Sequence, residues 1–161
     1  QGAQPDARKS CAPVSSELEP ILRGAIMDRD EARICKILGT KEVPEVTEEN
    51  LLKYRQYILD HLDKKSVLTG REDFPWEEKY VIGPGSRSEY EKLKETNPSY
   101  TDEYELIDIG EETEENDLIA KVRRLSDGKS FEIGLSWLSP KNEKIKEYQL
   151  LDDFATWVVN W

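Results

Sequence analysis

Nine carboxylates and no Lys or Arg fall within the sixteen residues from Asp102 to Asp117: Asp102, Glu103, Glu105, Asp108, Glu111, Glu112, Glu114, Glu115 and Asp117. Without those nine, the formal net charge of −11 would fall to −2, so one short segment holds most of the acidity. Dense carboxylate oxygens are the donors a hard divalent cation takes, and Ca²⁺ collects about six to eight of them on backbone that curls around the ion. A cation would also relieve the repulsion of like charges held together on a folded hairpin. The run is threaded through Tyr104, Leu106, Ile107 and Ile109 and followed by Leu118, Ile119 and Val122, residues that favour strands.

The spacing therefore predicts an acidic turn, Gly110 to Asn116, between two strands, with Asp108, Glu111, Glu112, Glu114, Glu115 and Asp117 as the pool of metal ligands. It is not an EF-hand. Read from Asp108, the third position is Gly110 and the twelfth is Ile119, where that motif requires Asp or Asn and a bidentate Glu. Two other roles compete with chelation: a solvated loop that keeps the protein soluble, or an acidic face that docks a basic partner protein without metal.

The elements that must position this run read as a helical N-terminal part followed by a β-rich part. Residues 1–14 lack periodicity and read as a flexible polar tail, and 15–66 as helical. Ser16 with Glu19 has capping-box spacing ahead of Leu18, Ile21, Leu22, Ala25 and Ile26, so a first helix is expected to Met27. A second, capped by Asp28 or Asp30, runs to Gly39. Thr47 caps the longest, about residues 48–64, with Leu51, Ile58 and Leu62 on one face.

From residue 67 the period changes to two. A strand is expected from Phe74-Pro75-Trp76 to Ile82, then an insertion over 83–101 carrying a short helix around Tyr90 and Leu93. Strands follow at about 103–109, 118–125 and 130–135, the last two joined at Asp127-Gly128, a hairpin signal. Trp137 to Pro140 reads as a turn, Tyr148 to Leu151 as a short strand, and Asp152 to Trp161 as a terminal helix in which Asp152 and Asp153 cap the first turn.

Composition excludes several function classes. The acidic balance argues against nucleic acid or an anionic membrane surface as partner, because clustered Lys and Arg carry those interactions. No apolar run approaches the roughly 20 residues of a spanning helix, so a soluble, cytoplasmic protein is expected. Cys11 and Cys35 lack CxxC spacing and have only His61 as an imidazole partner, which disfavours zinc; they read as reduced thiols, with one disulfide as the alternative. His61 reads as a surface or packing residue, and no nucleophile motif or phosphate-binding loop accompanies it, so no enzyme is expected. The four Trp, at 76, 137, 157 and 161, read as core rather than a ligand cage.

Across residues 54–161 the order of these segments resembles the cyanobacterial calcium-binding protein (CcbP-like) family. The resemblance is carried by Tyr54 to Leu62 leading to Phe74-Pro75-Trp76, the acidic turn in YELIDIGEETEEND, the segment Ile133-Gly134-Leu135-Ser136-Trp137-Leu138, and Asp153-Phe154-Ala155-Thr156-Trp157. It implies an α+β protein in which N-terminal helices precede a small antiparallel SH3-like β-barrel closed by a C-terminal helix, binding Ca²⁺ through surface carboxylates as a buffer or regulator. The insertion 83–101 and the two N-terminal helices have no counterpart in that family.

Overall fold

The computed structural model describes residues 27–161. The tail 1–14, Cys11 and the helix expected from Ser16 lie outside the described residues. The chain divides into two units, 1–33 and 34–161, and the sheet and the acidic segment belong to the second.

Helix α1 (Arg29–Leu38) ends before Gly39, as its spacing predicts, and buries Ile34, Cys35 and Leu38; Cys35 is a free thiol. Helix α2 (Glu48–His61) starts where Thr47 Oγ1 accepts the Asn50 N–H at 3.2 Å, satisfying an end group the helix cannot pair itself. Its face of Leu51, Tyr54 and Ile58 is buried. His61 is exposed on the helix surface, where it stacks on Tyr57 with ring centroids 3.9 Å apart.

Five antiparallel strands follow: β1 (Leu68–Gly70), β2 (Tyr104–Glu114), β3 (Asp117–Arg124), β4 (Ser130–Gly134) and β5 (Leu138–Pro140), in the order β4-β3-β2-β1-β5. The α+β class is as expected, but the sheet is open. β4 and β5 are its two edges and do not pair, so the expected closure into an SH3-like barrel is not present.

Three segments differ from the sequence reading. Phe74 to Ile82 is not a strand: a 3-10 turn (Pro75–Glu77) runs into the short helix α3 (Glu78–Val81). Pro75 sits at the first helical position, where its fixed φ suits the turn and its missing N–H is no loss. The sheet is entered earlier, at β1, where Gly70 is obligatory: a Cβ there would lie 2.4 Å from Tyr100 Cβ. The expected turn Trp137–Pro140 is instead a 3-10 turn (Leu135–Trp137) followed by β5.

The expected strand Tyr148–Leu151 is the start of helix α5 (Lys146–Asn160). Asp152 and Asp153 are therefore mid-helix and cap nothing. Asp152 pairs with Arg71 at 2.7 Å, and Asp153 is buried and accepts from Gln149 Nε2 at 2.9 Å. α5 supplies the centre of the core. Trp157 stacks on Tyr54 at 5.4 Å, Phe154 meets Tyr54 edge-on at 5.0 Å, and Trp157 Nε1–H donates to the Pro44 carbonyl at 2.8 Å. Of the other Trp, Trp76 and Trp137 pack against the core half-buried, whereas Trp161 is exposed.

Between β1 and β2 the insertion carries α4 (Arg87–Leu93), a short helix with Tyr90 turned inward, as expected. No helix among the described residues is long and apolar enough to cross a membrane.

Candidate functional site: the acidic β2–β3 arm

The acidic segment is a strand rather than a loop. β2 runs on to Glu114, and only Glu115 and Asn116, with φ of 52° and 62°, turn the chain into β3. Two consecutive left-handed residues make the tight connection that matches the twist of a hairpin. This decides the fate of the predicted ligands. β2 stays extended through Glu114, so its carboxylates are strung out along the strand instead of curling around one ion. Among the described residues, no group of three or more His, Cys, Asp or Glu side chains is arranged to hold a metal ion.

The register of β2 on β3 shifts twice. Leu106 pairs with Val122 and Asp108 with Lys121, leaving Ile107 as an extra residue, 44% exposed. Ile109 pairs with Ala120 and Thr113 with Leu118, so Gly110, Glu111 and Glu112 stand opposite Ile119 alone. Bulges of this kind bend the strand and re-aim its side chains. Here they open a groove of about 590 Å³ bordered by Asp108, Glu111, Glu112 and Glu114, with Glu132 of β4. Arg55 of α2 reaches the groove, its Nε–H donating to the Ile109 carbonyl at 2.8 Å.

Across the sheet Lys121 lies in register between Asp108 and Glu132, yet it forms no ion pair with either within 4.0 Å. Among the described residues no side chain hydrogen-bonds or ion-pairs with Asp108, Glu111, Glu112, Glu114, Glu115 or Glu132.

Asp117, the sixth predicted ligand, has a different role. It is 7% exposed, and its carboxylate accepts the Leu118 N–H at 2.8 Å, the Ser136 hydroxyl at 2.6 Å and the Ser136 N–H at 3.3 Å. Burial pushes its pKa above the ordinary carboxylate value, opposed by those hydrogen bonds. A Cβ on Gly134 would lie 2.7 Å from Asp117 Oδ2, so glycine is what admits the carboxylate. Asp117 thus ties the arm to the 3-10 turn before β5. Glu114 and Glu115 border a cavity of about 210 Å³ with it.

Two charged groups that the sequence did not single out hold the insertion. Glu77 is fully buried: Oε2 accepts from the Tyr90 hydroxyl at 2.7 Å and the Ser99 hydroxyl at 2.6 Å, and Oε1 from the N–H groups of Tyr100 at 2.9 Å and Phe74 at 3.3 Å. Burial first, and then the bond to Glu77, push the Tyr90 phenol up to about 12. Arg124, 3% exposed, donates to Asp127 at 3.1 and 2.8 Å, to Asp102 at 2.9 Å, and to the carbonyls of Lys94, Glu95 and Asn97 at 3.0 Å each. Its bond to Asp127 is the first cause of its raised pKa, and the same bond holds Asp127 down at about 2.

The nine carboxylates of the run therefore divide. Asp102 and Asp117 are consumed by the fold, and Glu103 and Glu105 pair with Lys141 and Arg123. Five, Asp108, Glu111, Glu112, Glu114 and Glu115, face solvent on the arm. No family model, curated protein or solved structure matches this chain.

Proposed function

We propose that this protein is an acidic docking module whose β2–β3 arm receives a basic segment of a partner protein. The observation that carries this reading is the groove beside β2, bordered by Asp108, Glu111, Glu112, Glu114 and Glu132, five carboxylates without side-chain partners among the described residues that outnumber the two cations in the same lining, Arg55 and Lys121. Spread over two strands, they match a row of Lys and Arg side chains better than the single point charge of an ion. Complementary charge of this kind speeds encounter and rejects acidic competitors, and at physiological salt it is screened beyond about 8 Å.

Calcium binding is the second reading, favoured by Glu114, Glu115 and Asp117 sharing the cavity at the arm's tip. It requires Asp117 to exchange its Ser136 bonds for an ion.

The test is fluorescence anisotropy with an alternating Lys-Thr octapeptide, with and without millimolar Ca²⁺. The docking reading expects saturable binding that weakens steeply as salt rises to roughly 0.15 M, no requirement for Ca²⁺, and affinity reduced about tenfold in Glu111→Gln/Glu112→Gln/Glu114→Gln, the sum of several exposed pairs. Absence of binding at low salt would reject it. Thermal stabilisation that saturates with Ca²⁺ and is lost in Glu114→Gln/Glu115→Gln would select the metal instead.

A further inference from the structure

The segment between β1 and β2 contrasts with the arm in charge as well as in structure. Over residues 75–97 the cations Lys79, Arg87, Lys92 and Lys94 are matched by four solvent-facing carboxylates, Glu78, Glu89, Glu91 and Glu95, with Glu77 buried. On a chain of net charge −11, this is a face on which two copies can meet without strong repulsion. It also holds a groove of about 790 Å³ lined by Pro75, Trp76, Tyr80, Ile82 and Leu93. The Trp76 indole N–H is committed to the Pro98 carbonyl at 2.7 Å, leaving the ring to present apolar surface. On the rim, Ile82 is 74% exposed and Val81 38%, large apolar side chains at the end of α3.

We propose that this groove is the interface of a homodimer, in which Ile82 of each copy enters the groove of the other. A two-fold contact uses the same patch on both partners, so the patch must be complementary to itself. This one is. It carries a projecting aliphatic residue beside an aromatic-lined groove, and it carries opposite charges on adjacent residues, Glu78 and Lys79, both bordering that groove. In the proposed dimer the two-fold axis passes beside this pair, setting Glu78 of one copy against Lys79 of the second copy, and the reverse. No residue of the acidic arm lines this groove, so the proposed contact leaves the arm to the basic partner. The proposal is independent of that reading, because its driving force is burial of apolar surface, which salt does not weaken.

The test is sedimentation equilibrium of the full chain over micromolar to millimolar concentrations. The expected result is a concentration-dependent rise from the monomer mass of 18.6 kDa towards twice that value, persisting at high salt. Ile82→Asp should weaken association at least about tenfold, the effect of placing an unpaired charge at the centre of an interface. Since Ile82 is exposed, its circular dichroism spectrum and unfolding midpoint should match the parent protein. Lys79→Glu alone sets Glu against Glu and weakens the dimer, whereas Glu78→Lys/Lys79→Glu restores the pairing and the affinity. A monomer at every concentration would overturn the proposal, as would a dimer indifferent to Ile82→Asp or one that the double reversal fails to rescue.

Discussion

The insertion and the acidic arm both leave the same small sheet, and they treat charge in opposite ways. Around the insertion the buried charges are fully partnered: Glu77, ahead of it, accepts four hydrogen bonds, and Arg124 of β3 makes six, three of them to carbonyls just after α4. On the arm, five carboxylates have no side-chain partner among the described residues, and Asp117 alone is consumed by packing. A buried charge is tolerated only when every lone pair or proton is met, so these charges are architecture. Exposed charges crowded on a strand contribute nothing to the fold and add repulsion, which is why the functional reading belongs to the arm.

The largest expected effect that would break this contrast lies at Arg124. Arg124→Ala leaves Asp102 without its cation, Asp127 with only Lys129 at 3.9 Å, and the Lys94 and Asn97 carbonyls without this donor, and should cost about 3–5 kcal/mol, read from the shift of the urea midpoint. A loss below about 1 kcal/mol would mean the guanidinium is merely a surface group. Glu77→Gln is expected to cost less, about 1.5–3 kcal/mol, because an amide retains one acceptor oxygen while its NH₂ faces donors it cannot satisfy.

Acid should act on the same knot. Asp127 is held at about 2, below its usual 3.8, by Arg124, so its contribution is fully present above pH 4 and is lost as pH falls towards 2. Asp127→Asn should remove that part of the acid dependence while leaving stability at higher pH reduced. A pH profile identical to the parent's between 4 and 2 would show that the bond to Arg124 does not discriminate between the folded and unfolded chain.

Local signals predicted local structure well. The Thr47 cap and the apolar period after it place α2, and Asp127-Gly128 places the β3–β4 hairpin, since neighbouring residues set both. The six candidate ligands are legible as a charged run, and four of them do share a groove. What could not be read is what depends on residues far apart in the chain. Phe74 to Ile82 has the composition of a strand, but it becomes helical around Glu77, whose partners Ser99 and Tyr100 lie more than twenty positions away. Asp117 looks like its acidic neighbours until Ser136 and Gly134 are brought against it. The length of β2 was also hidden, because Gly110 and the Glu residues after it disfavour strands and only pairing with β3 extends the sheet through them.

The most direct test of the contrast measures stability and binding on one variant, Glu111→Gln/Glu112→Gln/Glu114→Gln, by chemical unfolding and by anisotropy with the Lys-Thr peptide. The account predicts an unfolding free energy within about 0.5 kcal/mol of the parent or slightly above it, as for exposed side chains without partners, together with affinity lowered about tenfold. Stability reduced by about 2 kcal/mol or more, with peptide affinity unchanged, would show that the arm's carboxylates serve the fold and not a partner.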